Sequence, residues 1–278
     1  MMVVPYFLSF TILGVVLLAL QLGGAWLLLP PLYIFGLLPI VDAMGGHDKE
    51  NPEELDPKIN RDFWRDLPLW LWVPCQLLLT AFGVYLVGNT DPGPWELFGL
   101  VFAVGLTGVG AGINVAHELM HRRGKFEHFL SELSLTAVTY PHFTIEHVLG
   151  HHRRVATPED PASADLGERL YPFIFRSMAG GVVRAWELEG IRVARRGRGF
   201  MGLGDRRIRQ PLMVAVAYGL AYLIGAWAGV FFMVAQSFVA IALLEVINYI
   251  EHYGLRRDEI APGKYERVKP HHSWNASQ

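Results

Sequence analysis

The sequence predicts an all-α integral membrane protein of about six transmembrane helices. Three observations predict it. Of the 278 residues, 52% are hydrophobic and 18% are charged, against roughly 25% charged in an average soluble domain. The apolar residues fall in long, nearly uncharged blocks, from Val3 to about Met44, Leu69 to Gly88, Leu97 to Ala116 and Leu212 to Ile250. The arginines gather on one side of the topology those blocks define.

About 20 apolar residues cross a bilayer. The first and last blocks are each about twice that length and read as hairpins of two spans. This predicts helices over 4–21 and 24–42, parted by Leu22-Gly23-Gly24. No basic residue precedes the first block and no small-residue cleavage site follows it, so it reads as a retained anchor. A charged loop follows, in which His47 is expected to be solvated. The third helix is expected over 68–88. The turn Asn89 to Pro94 leads to a fourth over 95–117. A polar insertion occupies 118–209, and helices over 211–229 and 231–250 complete the set. The chain, 1–278, reads as a single membrane-embedded domain. The one cysteine, Cys75, lies in a predicted span and excludes a disulfide framework.

The insertion holds Arg122, Arg123, Arg153, Arg154, Arg192, Arg195, Arg196, Arg198, Arg206, Arg207 and Arg209, while the opposite connections have almost no Lys or Arg. The positive-inside rule places this side in the cytoplasm, at the inner membrane, with both termini. A region this long needs secondary structure of its own. Residues 126–152 read as one or two helices under the membrane, and 174–199 as an amphipathic interfacial helix with a basic end. In the fourth helix Gly108 and Gly112 form a G-x-x-x-G pair, the pattern of close helix packing in lipid.

Ten of the 11 histidines lie at or beyond the predicted end of the fourth helix. "HELMH" places His117 and His121 at i,i+4, on one helical face. "EHVLGHH" repeats that spacing with His147 and His151 and adds His152. "NYIEHYGL" places His252 at the end of the last helix. Counting spans brings all three clusters to one membrane face. H-E-x-x-H alone is a zinc-protease signature, but six imidazoles are too many for one zinc with an open position and suit two metal ions. Imidazole binds iron, zinc, copper or nickel, so the donor set leaves the metal open. Glu118, Glu146 and Glu251 could orient metal-bound rings. Neighbouring helical residues point apart, so Glu146 and Glu251 are expected to serve other clusters than the histidines beside them.

"HELMH", "YPHFTIEHVLGHHRRVATPEDPASADLGE", "NYIEHYGL" and "KPHHSWN", in this order, resemble the alkane 1-monooxygenases. These are membrane-bound non-haem di-iron hydroxylases of the fatty acid desaturase-like superfamily. The resemblance runs through nearly the whole chain. It implies that His117, His121, His147, His151, His152 and His252 bind two Fe ions. It implies an O2-dependent monooxygenase that converts medium- or long-chain n-alkanes to 1-alkanols. An unactivated methyl group offers acid–base side chains nothing to attack, so a redox metal must supply the chemistry. The implied electron donor is rubredoxin, served by an NADH-dependent rubredoxin reductase. Partners are the n-alkane, O2 and the lipid bilayer, with no nucleic acid. The family carries a further motif of the form QRHSDHH downstream of "HHSWN", so the domain is expected to be incomplete at its C-terminus.

His142, between Pro141 and Phe143, is expected to pack among aromatic groups or support the ligands. His128 is read as surface, and His271 and His272 as structural or supporting. Side chains around Ile34 are expected to help set the accepted chain length. Arg192, Arg195, Arg196 and Arg198 could dock an acidic rubredoxin or hold the anionic inner leaflet. The competing readings are a fatty acid desaturase or hydroxylase, an intramembrane zinc protease with Glu245 as its acidic ligand, and a metal-ion transporter. A transporter would place its ligands near the bilayer midplane.

Overall fold

A helix can break inside hydrocarbon only where the freed backbone groups find other partners, so the breaks in these helices are informative. The computed structural model describes residues 7–45, 63–197 and 202–274. His47 and Arg198 lie outside the described residues. Among the described residues four helices are long and apolar enough to cross a membrane: Gly24–Val41, Phe63–Asn89, Pro94–His121 and Arg206–His252. Ser9–Leu22 is apolar but has 14 residues. Within the described residues the chain forms two compact units, one of 7–139 with 217–240, the other of 140–216 with 241–274.

In the first unit the helices enclose a core that includes Val16, Trp72, Leu119 and Phe232. The Phe63–Asn89 helix extends ahead of the predicted 68 and carries Pro68 and Pro74 inside it. The fourth helix runs on through "HELMH" to His121, past the predicted end at 117. It widens to a π-helix over Gly108–Ile113. The glycine pair packs closely: a Cβ on Gly108 would lie 2.8 Å from Val138, and one on Gly112 2.5 Å from Gln76. The Lys125–Thr136 helix follows.

The last helix is two legs. Gly225 and Ala226 leave helical geometry, and Ala226 has φ +47°, where a side chain costs energy. The chain folds back there, so a Cβ on Gly229 would lie 2.6 Å from the Ala221 carbonyl. The reversal comes four residues before the predicted 230, where a glycine and an available partner coincide. The Asn89 amide donates to the carbonyls of Tyr85 (2.9 Å) and Ile224 (3.2 Å), capping the first leg. Gly88 presses its backbone on Gly225, leaving no space for a side chain at either.

The second unit holds a short helix Phe143–Glu146, a π-turn His147–His151, the one-turn helix His152–Arg154 and the long helix Leu170–Arg195. A two-stranded ribbon, Glu259–Ala261 with Lys264–Tyr265, and a 3-10 turn Pro270–His272 follow the last helix. One face of Leu170–Arg195 buries Phe173, Ile174, Ala185 and Glu189, while Tyr171, Phe175, Val182 and Trp186 are exposed. That second apolar stripe suits a helix lying in a membrane interface. Glu189 is fully buried. It accepts from Arg192 Nε (2.7 Å), Arg206 N–H (2.9 Å) and Arg206 Nε (3.0 Å). Burial alone would raise its pKa, but these donors hold it down at about 2.

Two expectations follow. Gly88→Val should lower the melting temperature in detergent strongly, by the ~1–3 kcal/mol or more of an overpacked contact. Gly14→Ala, where a Cβ meets nothing within 4 Å, should leave it unchanged or slightly raised. Glu189→Gln should cost about 1–3 kcal/mol at neutral pH by leaving two part-buried arginines without their carboxylate. A depressed carboxylate stabilises above its ordinary pKa and loses that contribution as pH falls. The melting gap between wild type and variant should therefore close from about pH 4.5 towards pH 2.

Candidate metal centre

Imidazole rings are brought together in each unit, by two different helical geometries. In the first unit Asn114–His121 is an α-helix, and the i,i+4 spacing sets His117 Nε2 and His121 Nε2 3.3 Å apart. Their rings stand edge to face at 4.7 Å. The helix is fastened by side chains that reach its carbonyls. Ser131 donates to Ala116 (2.7 Å), the residue before His117, and Ser134 to Gly112 (3.0 Å). Asn114 donates to Gly110 (2.9 Å). The Gln76 amide, buried within its helix, donates to the Ser134 carbonyl (3.2 Å).

In the second unit the motif lies in a π-turn, in which the backbone bonds i to i+5. The pair that converges is therefore His147 and His152, with Nε2 atoms 2.8 Å apart, instead of the i,i+4 pair the sequence predicts. His151 stacks on His147 at 5.3 Å and lies 5.0 Å from His252, ring to ring. His252 is buried, and its Nδ1 has no hydrogen-bond partner among the described residues.

His151 Nδ1 meets Asp160 Oδ2 at 3.0 Å. Burial by itself lowers the His151 pKa, but the Asp160 carboxylate outweighs it and the imidazole ends above 6.5. Asp160 is held below its ordinary value against the effect of burial, by His151, Ser163 and the Ala162 N–H. Ser163 donates to it at 2.6 Å. A carboxylate on one ring nitrogen fixes the tautomer and directs the other at a metal. Asp160 lies in the "PEDPAS" stretch. Composition alone does not distinguish it there from neighbouring Glu159, which pairs with Arg154.

The three glutamates behave differently from one another. Glu118 is a surface partner of Arg122, at 3.2 and 3.0 Å, and Arg122 also reaches Asp66. An i,i+4 arginine thus takes the carboxylate that the sequence offers to an imidazole. Glu251 Oε2 lies 3.8 Å from His252 Nε2, so it approaches the histidine beside it. Glu146 is 5% exposed and its Oε1 has no hydrogen-bond partner among the described residues. Burial raises its pKa to about 7. With Tyr140, His147, His151, Ser177 and Glu245 it lines a small cavity. Glu245, the candidate acidic ligand of a protease, accepts from the Tyr140 hydroxyl (3.0 Å) and the Asn248 amide (3.2 Å).

His142 packs edge-on against Tyr140 at 4.4 Å, and burial lowers its pKa to about 4. His272 is buried, accepts the Lys269 N–H on Nδ1 (2.9 Å) and meets Glu266 Oε1 through Nε2 (3.2 Å). With Nδ1 an acceptor, the neutral ring carries its proton on Nε2, which donates to Glu266. His271 lies beside it at 4.2 Å, ring to ring. This stretch closes the end of the last helix, because Trp274 donates its backbone N–H to Glu251 (2.8 Å) and its indole N–H to Tyr253 (3.0 Å).

A model of the family described as fatty acid desaturase matches residues 93–278, a range that contains every one of these histidines. The chain belongs to the fatty acid desaturase family. Its relatives include the alkane 1-monooxygenase of Ectopseudomonas oleovorans, 40% identical over 247 residues, 87% of this chain and 61% of the relative. Alkane 1-monooxygenase 1 of Alcanivorax borkumensis is 36% identical over 269 residues, 96% of this chain and 66% of the relative. The alkane 1-monooxygenase of Pseudomonas putida is 38% identical over 247 residues, 87% and 60%. The chain thus spans about three fifths to two thirds of the length of these relatives. The resemblance and the α-helical, membrane-spanning class expected from the sequence both hold.

The residues present in this desaturase-family chain fit a metal. Bonds of about 2.0–2.1 Å to imidazole put two neighbouring ligands roughly 3 Å apart, close to the spacing of both Nε2 pairs. Two nitrogen lone pairs so close repel unless a proton or a cation lies between them. Asp160→Asn should test the arrangement. Losing the anionic acceptor should weaken metal binding roughly 10–100-fold, read by titration with Co(II) in detergent. Unchanged affinity would leave Asp160 a structural residue only.

Proposed function

We propose that the full-length protein is an alkane 1-monooxygenase that converts medium- or long-chain n-alkanes to 1-alkanols. One atom of O2 enters a terminal C–H bond and the other leaves as water, so an electron donor is required. The observation that carries the reading is the pairing of imidazole nitrogens at ligand spacing in both "HELMH" and "EHVLGHH", in a chain whose relatives bear that name. Paired imidazoles suit iron among other metals.

His117, His121, His147, His151, His152 and His252 are the proposed ligands of two irons, and His151 is the one whose orientation Asp160 sets. Bound iron would supply the redox capacity that an unactivated C–H bond demands. The protein's own groups hold the rings. Ser131 and Ser134 fasten the first motif's helix, and Trp274 closes the helix end that bears His252. In the first unit Ile34 Cδ1 would meet a Cβ on Gly110 at 3.6 Å. Ile34 therefore stands against the π-segment leading to His117, where a bulky side chain would limit chain length.

Six crossings would set the histidine motifs at the cytoplasmic face of the inner membrane. There Arg195 and Arg196, both exposed, offer positive charge to an acidic rubredoxin. Arg192 is engaged by Glu189 and the Gly204 carbonyl. Metal content after anaerobic purification with ferrous iron and zinc both offered tests the metal. About two irons per chain is the expected result, and one zinc with no iron would sink the reading. Incubating the full-length protein with n-octane or n-hexadecane, rubredoxin, its reductase and NADH should then yield the 1-alkanol. Oxidation of fatty acyl chains with no alkanol would favour the desaturase reading instead.

A further inference from the structure

Arg257 is a buried cation, 9% exposed, that makes no direct ion pair among the described residues, although the carboxylates of Asp160 and Glu266 act on it through space. Burying a charge without a counter-charge in contact is costly, and a hydrophobic side chain of its size would be cheaper. Its partners are carbonyls. Nη2 donates to Arg153 (2.8 Å) and Nη1 to Glu266 (3.0 Å), while Nε, also buried, has no hydrogen-bond partner among the described residues. The Arg257 backbone N–H donates to Ala156 (2.8 Å). The face of Tyr265 lies 5.9 Å from the guanidinium carbon.

Each partner belongs to a segment that issues from a proposed ligand. Arg153 directly follows His152, and Arg257 stands five residues after His252. Ala156 is the next anchor. It has φ +59°, a conformation that an alanine keeps only when its surroundings hold it. The Arg257 N–H grips its carbonyl, and its own N–H donates to Ser163 Oγ (2.8 Å). Ser163 Oγ donates to Asp160 Oδ2 (2.6 Å), and Asp160 meets His151 Nδ1 (3.0 Å). Through the residue Ala156, hydrogen bonds thus relate the Arg257 backbone N–H to the ring of His151, while its guanidinium holds the backbone beside His152. A planar fork with donors in fixed directions can span two carbonyls in this way, and a lysine ammonium cannot reproduce it.

We infer that Arg257 is a positioning residue of the metal centre. It locks the segment after His152 to the segment after His252, and so sets how His151, His152 and His252 present their nitrogens. The inference rests on the metal-centre reading of those histidines.

The test uses the whole chain in detergent and Co(II) as the probe metal, whose visible absorption reports ligand geometry. Wild type, Arg257→Lys, Arg257→Met and the neighbour Arg256→Lys are titrated, and each melting temperature is taken without metal. Arg256 pairs with exposed Asp165 and serves as the control. Arg257→Lys keeps the charge and should weaken Co(II) binding roughly tenfold or more and shift the absorption bands. Arg257→Met removes the fork but fills similar volume, which a buried site tolerates better than an unpaired charge; it should shift the bands in the same way and keeps the test decisive if Arg257→Lys fails to fold. Arg256→Lys should match wild type. Wild-type affinity and bands in whichever of Arg257→Lys and Arg257→Met folds would overturn the role of Arg257 alone. Absence of Co(II) binding by wild type would overturn the metal centre itself.

Discussion

Hydrocarbon offers no hydrogen-bond partner to a backbone N–H or C=O, and the irregularities of this chain are built around that constraint. The fourth helix widens to a π-segment at Gly108–Ile113, and the carbonyls of Gly110, Gly112 and Ala116 receive donors from Asn114, Ser134 and Ser131. The last helix reverses at Gly225–Ala226, where Asn89 caps the carbonyl of Ile224. At its end Trp274 covers the carbonyls of Glu251 and Tyr253. The histidine motifs lie beside such places: "HELMH" after one π-segment, "EHVLGHH" within another, and His252 at a capped helix end.

The buried charges follow a related logic. Asp160 and Glu189 are both almost wholly enclosed, and each is held ionised by several donors at once. Asp160 turns its charge towards the ring of His151, and Glu189 gathers the arginines where Leu170–Arg195 meets the start of the last helix. Burying such groups costs energy that a hydrophobic core would not. In return the pairs have one geometry, and a metal site needs its ligands aimed before the ion arrives.

Much of this was legible in the sequence because its signals are physical periods. Long apolar blocks announce spans, glycines four apart announce close helix packing, and imidazoles at motif spacing announce chelation. The rest was hidden for identifiable reasons. The reversal lies at Gly225–Ala226, within an apolar run whose composition does not change there. In the sequence Glu118 is offered both to Arg122, one turn along, and to imidazoles elsewhere, and only the fold shows that Arg122 takes it. Asp160 is one of many acidic residues until the fold carries it to His151. The serines that fasten "HELMH" sit in a helix whose sequence marks them as ordinary polar positions.

The two histidine pairs share one spelling and have different spatial grammars. In "HELMH" the fourth residue on completes the pair, across an α-turn. In "EHVLGHH" the fifth does, and the histidine at the fourth turns to a carboxylate. The doublet at its end is therefore a division of labour, and neither ring is a spare copy of the other. The wider turn makes that division available, since it brings His152 round to His147 and leaves His151 beside it. Deleting one residue from this turn would preserve a paper resemblance to the first motif while reassigning both jobs. Motifs of this kind are better compared by which nitrogen reaches which partner than by the letters between them.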